Sequence, residues 1–427
     1  MLFLLLCLYT ALYYIRPFEW SEALQGVPVF LCLGVISILA LLVAWMTGRI
    51  RLFRHKTDVM MIGFVASIAI SHIGHGYLGG AFRSVLNFLP SIVGYFLVAY
   101  GIDSRKKIQG FIVLLVCLTS FLAYEAHVQS TQGMTHGGMQ AYIQFHSDPD
   151  GEKIGTPRAR WFGPFNDPND LGLALVLPVP FLINRLLNRR LVLASLSLPL
   201  LIYGLYLTNS RGAMLSLLAS VFTFLILRYR SMKGAALGAI LAAVLLVLGP
   251  SRMVQMSGGD ASAYGRVEAW HAGFQMFKSS PLFGVGKGMF TDFHPITAHN
   301  TYLLVLAELG IIGLFFFIGF FYYNLQWTRL FVLKQPPYND RITDRDLLSA
   351  TMGCLTGLLV SITFLSRAYF ELIYIMVAFA SVLVTANAGK AENCKYASTA
   401  PSLKLKSMTG AVVMVIIVFN LMVKFLI

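Results

Sequence analysis

Thr301-Tyr302-Leu303-Leu304-Val305-Leu306-Ala307-Glu308-Leu309-Gly310-Ile311-Ile312-Gly313-Leu314-Phe315-Phe316-Phe317-Ile318-Gly319-Phe320-Phe321 is a run of twenty-one residues with one formal charge, at Glu308. About 20 apolar residues in a helix cross the hydrocarbon of a bilayer once. A helix apolar on every side belongs in lipid or deep in a protein interior, not on a wet surface. Outward from this run, stretches of the same kind recur at 2–15, 27–46, 58–73, 86–101, 108–127, 169–185, 190–208, 211–228, 234–250, 299–326, 347–365, 370–386 and 409–427. The expected fold is an all-α, polytopic transmembrane helix bundle of 12–13 spans, forming one integral membrane domain over 1–427.

Composition agrees with that reading. Of 427 residues, 57% are apolar and 12% charged, against roughly 25% charged in an ordinary soluble domain. A soluble domain, a disordered chain, a coiled coil and a secreted disulfide scaffold are all excluded by this balance. Five cysteines show no paired spacing, and Cys7, Cys32, Cys117 and Cys354 lie in apolar runs. A thiol there acts as a small hydrophobe, so neither a disulfide framework nor a metal site is implied. Leu2–Ile15 lacks a basic flank, and Arg16-Pro17 is a poor cleavage site. It reads as a first span rather than a removed signal peptide.

The net charge of +14 is a topology signal. One set of alternate loops holds 21 of the 33 lysines and arginines, in clusters such as Arg49–Lys56, Arg105–Lys107 and Arg185–Arg190. That side is expected to be cytoplasmic, and no nucleic acid is needed to explain the charge. Opposite lie short links with one cation each, around Arg16, Arg83, Arg211 and Arg367. Two longer segments, about 128–168 and 249–298, share that non-cytoplasmic side. Connections of this length are usually functional or disordered. Trp161, Phe162, Phe165, Trp270, Phe274 and Phe277 argue for order. Val267, Trp270, Phe274 and Phe277 at helical spacing predict an amphipathic helix over Tyr264–Lys278, at the outer membrane face. No internal repeat and no matched pair of Gly/Pro-broken helices is visible, which counts against an inverted-repeat transporter.

The few cations on the outer side are the candidates for chemistry. Arg211, in the turn Asn209-Ser210-Arg211-Gly212, places a planar fork of donors at headgroup level, suited to phosphate; snorkelling to fix helix depth is the alternative. Arg266 falls at the start of the predicted loop helix after Gly258-Gly259, where a cation opposes the helix dipole unless it serves an anion. An Arg266–Glu268 surface pair is the alternative. His299, before Asn300 at the start of a span, is expected to stay neutral near a helix N-terminus and able to take a proton; otherwise it is an interfacial polar residue. Glu308, nine residues on, is expected in a structural ion pair, with Gly310 and Gly313 permitting close helix packing.

In the first long loop, Asn169 and Asp170 precede an unbroken apolar run, so the Asn-Asp-Pro-Asn-Asp cluster is expected to cap a helix. The functional alternative adds Arg158 and Arg160 to an anion site, with Asn and Asp binding sugar hydroxyls. Asp148-Pro149-Asp150 is a bare acid pair that fits a turn better than a divalent metal.

Taken in order, Gly163-x-Phe165-x-x-Pro168-Asn169, Asn209-Ser210-Arg211-Gly212, Gly265-Arg266-x-x-x-Trp270 and His299-Asn300-x-Tyr302-Leu303 with Glu308-x-Gly310 resemble the O-antigen ligase and polymerase superfamily, over roughly 158–326. The resemblance implies a GT-C type membrane glycosyltransferase of the bacterial inner membrane, with its active site facing the periplasm. It would take a glycan from an undecaprenyl-diphosphate donor to an acceptor hydroxyl, inverting the anomeric centre without metal or other cofactor. Arg211 and Arg266 would bind the diphosphate and His299 would activate or orient the acceptor. Arg158, Arg160, Asn169, Asn300 and Tyr302 would assist. Lipid A–core is the expected acceptor, within a pathway of lipopolysaccharide biosynthesis; another glycan or a protein hydroxyl would make the chain a polymerase or a protein O-oligosaccharyltransferase. Membrane lipids are the remaining expected partners. A transporter of lipid-linked solutes fits less well, since it would carry ionisable groups along a path through the midplane. The stretch Gln129–His146 departs from the family pattern.

Overall fold

The computed structural model describes residues 1–147, 153–232, 234, 236–240, 261–334, 344–391 and 405–426. The Asp148/Asp150 pair, Gly258-Gly259 and most of the candidate span 234–250 lie outside the described residues.

Apart from a single helical turn at Pro17–Trp20, the elements in chain order are α1 (Leu2–Ile15), α2 (Val29–Met46), α3 (Lys56–Ile73), α4 (Leu78–Gly101) and α5 (Arg105–Gln132). A hairpin of β1 (Tyr142–Ser147) and β2 (Lys153–Arg158) follows, then α6 (Pro168–Val176), α7 (Val179–Leu187), α8 (Leu191–Leu207) and α9 (Arg211–Tyr229). The chain continues through α10 (Ala261–Ser279), the single turn α11 (Phe290–Phe293), α12 (Thr301–Lys334), α13 (Asp344–Ile362), α14 (Glu371–Ala391) and α15 (Leu405–Leu426). Among the described residues nine helices are long and apolar enough to cross a membrane, and three shorter apolar helices lie at 191–207, 371–387 and 406–421. The all-α polytopic bundle is therefore observed. The apolar run at 169–185 is divided into α6 and α7 at Leu177-Pro178, because a proline nitrogen has no hydrogen to donate to the preceding turn.

The helices fall into two compact units, 1–40 with 101–255 and 331–361, and 41–100 with 256–330 and 362–427. In the first unit α5 packs along α1 and α8, and α6 packs against α8 and α9. Small residues let these backbones approach: a Cβ on Gly204 would lie 2.8 Å from that of Ala123. The first long loop contributes the hairpin, antiparallel from Tyr142 opposite Arg158 to Ser147 opposite Lys153. Only one 3-10 turn, Gly163–Phe165, precedes α6. Trp161 anchors this loop, since it is buried and its indole nitrogen donates to the Tyr14 carbonyl at 3.0 Å. Phe165 is fully buried against Tyr13 and Tyr14 at the end of α1.

In the second unit Phe64 of α3 sits among Phe88, Phe317, Phe320 and Tyr374. Its rings are 5.6–6.1 Å away, centroid to centroid, within the range of favourable aromatic pairs. The largest departure from expectation is in α12, the run that reads as one continuous span. Gly310 there has φ 64° and ψ −163°, and the helix breaks. The segment Pro281–Gly286 runs alongside and supplies the missing partners. Val285 and Gly286 donate to the carbonyls of Ala307 and Glu308 at 2.9 and 3.0 Å, and Ile311 and Ile312 donate to Pro281 and Leu282 at 2.9 and 3.4 Å. A broken helix inside a membrane protein needs such replacement bonds. Gly310 is thus a break, and the close approach it permits is to the backbone of Leu282 and Phe283 rather than to a neighbouring helix.

Candidate functional site

Each unit carries part of the expected constellation. In the first, Ser210 caps α9 by accepting from the Ala213 amide at 3.2 Å, and Asn209 before it is held at φ 49°. Asparagine tolerates this left-handed geometry better than most residues, and the turn sets Arg211, half-buried, as the first residue of α9. Asn169 ties that turn to the first long loop. Its side-chain oxygen accepts from the Ser210 hydroxyl at 2.6 Å and from Arg158 at 2.9 Å. Arg158 is buried, and its other donors reach the Thr208 carbonyl at 3.0 Å and the Gln144 side chain at 2.8 Å. Arg160 donates to the Gln140 carbonyl and to Asn166 at 2.9 and 3.1 Å. Arg158, Asn169 and the Arg211 turn are therefore brought together, with Arg158 acting as a bracket between hairpin and helices.

The Asn-Asp-Pro-Asn-Asp cluster does cap α6, through Asp167 rather than Asn169 or Asp170. The Asp167 carboxylate accepts from the Asn169 amide at 2.7 Å, with Pro168 at the first helical position. Proline is favoured there because the first amides of a helix have no helical partner in any case. Asn169 is thereby free to act as the hub just described.

In the second unit α10 begins at Ala261, three residues before the expected start. Arg266 falls in its second turn, half-buried, with Glu268 exposed. Residues two apart on a helix diverge, so the helix does not favour the Arg266–Glu268 pair. Of the predicted stripe Phe274 is buried and Val267, Trp270 and Phe277 are half-buried, while the small residues Ala269 and Gly273, outside the stripe, are buried too. Trp270 donates from its indole to the Ala298 carbonyl at 2.9 Å. A Cβ on Gly273 would lie 2.9 Å from Phe290 and 3.1 Å from Leu303. These contacts bring the helix bearing Arg266 to the start of α12, where His299 resides.

His299 repeats the geometry of Asn209. It has φ 47° and precedes a capping residue, Asn300, whose side-chain oxygen accepts from the Tyr302 and Leu303 amides at 3.0 and 3.1 Å. Non-glycine residues in this region are uncommon and gather at functional turns. Asn300 also donates to the Thr363 carbonyl at 3.1 Å, and the Thr301 hydroxyl donates to the Leu365 carbonyl at 2.6 Å and accepts from the Arg367 amide at 3.0 Å. Tyr302, half-buried, meets Phe317 edge-on. Asn300→Ala removes both the cap and the Thr363 tie. It is expected to cost about 1–2 kcal/mol, read as a lower melting temperature of purified protein.

Two groups near this turn escaped the sequence reading. Glu308, buried, accepts from the Tyr369 hydroxyl at 2.7 Å and from the Phe290 amide at 3.3 Å. It is satisfied by hydrogen-bond donors, with Lys287 supplying the nearby positive charge. The Lys287 ammonium stands 4.8 Å from the centre of the Tyr369 ring. Burial pushes this ammonium below the ordinary lysine range, while the Glu308 carboxylate pulls the other way. Burial first, and then the same carboxylate, push the Tyr369 phenol well above its usual value, so it stays a donor. Lys287 and Tyr369 come from loops 82 residues apart in the chain, and neither sits in a motif. The backbone amide of Arg367 reaches the hydroxyl of Thr301, two residues after His299. The rule that singles out Arg211, a lone cation in a short outer link, applies equally to Arg367.

Among the described residues no group of three His, Cys, Asp or Glu is arranged to hold a metal ion. Asp148 and Asp150 lie outside them. Taken unit by unit, the first sets Arg211 at the capped start of α9, and the second sets Arg266 in the second turn of α10 and His299 just before the cap of α12. Such groups can meet an anion and a hydroxyl without reorganising.

Residues 196–318 match the family model described as O-antigen ligase. The match supports the O-antigen ligase and polymerase superfamily for this chain, as the motifs suggest, and contains Arg211, Arg266, His299 and Glu308. No curated protein matches the sequence. With its long apolar helices, the chain is a multi-pass membrane protein whose residues 196–318 are similar to the O-antigen ligase family.

Proposed function

We propose, with the O-antigen ligase match as premise, that the chain transfers a glycan from an undecaprenyl-diphosphate donor to the lipid A–core, at the periplasmic face of the bacterial inner membrane. The supporting observation is that one family match, 196–318, spans all three candidate residues, Arg211, Arg266 and His299. The rigid turns around two of them add support: Asn209 and His299 both adopt left-handed backbone next to a helix cap. In the reaction the bond between the anomeric carbon and the diphosphate oxygen breaks as the acceptor oxygen attacks from the opposite face. Arg211 and Arg266 neutralise the charge growing on the departing diphosphate. His299 accepts the proton of the acceptor hydroxyl. The sugar centre inverts, and no nucleotide is consumed.

The test is reconstitution. Purified protein in lipid is given the undecaprenyl-diphosphate glycan with lipid A–core, with further donor only, or with a protein acceptor. Glycosylated lipid A–core is the expected product, and its yield is expected to be unchanged by a strong chelator. A lengthened lipid-linked glycan would instead identify a polymerase. Absence of transfer in every arm would remove the enzymatic reading, and chelator sensitivity would return attention to Asp148 and Asp150.

A further inference from the structure

The first unit contains a cavity of about 560 Å³ between the hairpin and the ends of α5 and α8, lined among others by Gln129, Gln140, Ile143, Arg158, Tyr206 and Asn209. Its size is in the ordinary range for ligand pockets. Resting on the donor reading above, we infer that this cavity is a saccharide subsite that takes the neutral sugars of the lipid-linked glycan.

The chemistry of the walls selects the ligand class. Among the described residues that line the cavity none is acidic, and Arg158 is its one cation. That guanidinium is already engaged by Thr208, Gln144 and Asn169, so the cavity is not built for a diphosphate. Nor is it built for a lipid tail, because three carboxamides face it. Gln129 forms part of the frame, donating to the Met139 carbonyl at 2.8 Å and accepting from the Arg160 amide at 2.9 Å. Gln140 and Tyr206 are exposed, and the Asn209 side-chain oxygen is buried with no donor. A buried acceptor left unmet bears its full desolvation penalty, and a sugar hydroxyl is a donor of the right kind. Ile143 and the Tyr206 ring offer apolar faces for the C–H side of a pyranose. Asn209 lies two residues before Arg211, so a glycan in the cavity is adjacent in the chain to the residue assigned to its diphosphate. Most of the lining lies before residue 196 and so outside the family match. The cavity is thus a feature in which this chain's glycan preference is free to differ from that of its relatives.

Direct binding tests the inference independently of turnover. Purified full-length protein is titrated with neutral tri- and tetrasaccharides, with their uronic-acid counterparts, and with undecaprenyl diphosphate bearing no sugar, by ligand-observed NMR. Neutral oligosaccharides are expected to bind, and Gln140→Ala and Tyr206→Ala are expected to weaken them about tenfold each. Both positions are exposed, so the variants should fold, and Tyr206→Phe should bind nearly as wild type through its ring. Undecaprenyl diphosphate should bind all variants equally. Saccharide binding that is absent, or unchanged in both alanine variants, overturns the inference. The two readings fail separately: saccharide binding without transfer in any reconstituted arm would leave the subsite and remove the transferase, whereas transfer with unaltered binding in the cavity variants would do the reverse.

Discussion

Arg211→Ala and Arg266→Ala are each expected to lower glycan transfer by about 10²–10³-fold, the usual loss when one fixed donor to a developing negative charge is removed. Arg211 is the cleaner of the two because its effect on folding can be argued separately. It is the first residue of α9, half-buried, in a helix already capped by Ser210. A cation at that end opposes the helix dipole, which costs roughly 0.3–1 kcal/mol. Alanine there keeps the Ser210 cap, so transfer is expected to collapse with the helix still formed, as read by circular dichroism of the purified variant. Arg211→Lys should recover only a fraction, because an ammonium does not reproduce the two-pronged grip of a guanidinium on phosphate oxygens. His299→Ala should separate the steps, lowering turnover far more than it raises the KM for donor. Wild-type transfer rates in both arginine variants would remove their diphosphate role.

Gly310→Ala is expected to cost ~4 kcal/mol or more and to deplete folded protein. Two independent penalties combine. The backbone at φ 64°, ψ −163° belongs to a region open in practice to glycine alone. The added Cβ would also fall against the Leu282 carbonyl and 2.7 Å from the Phe283 nitrogen, closer than real Cβ atoms come. Both obstacles are backbone, so no side chain can turn aside. Gly410→Ala on α15 of the same unit is the control: nothing lies within 4 Å of its Cβ. It should be neutral or gain up to about 1 kcal/mol from helix propensity. Thermal unfolding followed by size-exclusion chromatography in detergent distinguishes the two. A Gly310→Ala protein as stable as wild type would mean that α12 runs unbroken.

The parts legible in the sequence are those governed by local composition. Most described apolar runs became helices, close to their expected limits at Leu2–Ile15 and Arg211–Tyr229 but with α4 starting eight residues before 86 and α12 ending eight after 326, because hydropathy over a window needs no knowledge of neighbours and is blind to exact ends. The loop helix around Arg266 was legible through the spacing of its aromatic residues. Its start was missed by three residues, since Ala261, Ser262 and Ala263 add no apolar stripe. The hairpin at Tyr142–Arg158 was not anticipated: Asp148-Pro149-Asp150-Gly151 reads as a turn, but the short flanking segments do not announce that they pair, nor in what register. Beyond local composition, partners drawn from distant segments decide the structure. Tyr369 meets Glu308 from a link that reads only as the neighbourhood of Arg367. The break at Gly310 exists because Pro281–Gly286 supplies its hydrogen bonds, and a glycine in an apolar run carries no mark of that.

The bonds across the α12 break constrain more than α12. Helix α10 ends at Ser279, and the replacement segment begins two residues later at Pro281, whose carbonyl accepts from Ile311. Eleven residues before Pro281, Trp270 is pinned to Ala298, just ahead of the first turn of α12. Helix α10 is thereby riveted to α12 at two points, by a side chain near its middle and by main chain beyond its end. Sliding or tilting it would shear both fastenings together. Arg266 therefore rides on a stiff strut rather than a swinging arm, and a loop insertion between Ser279 and Gly286 should silence the protein as surely as losing the arginine itself.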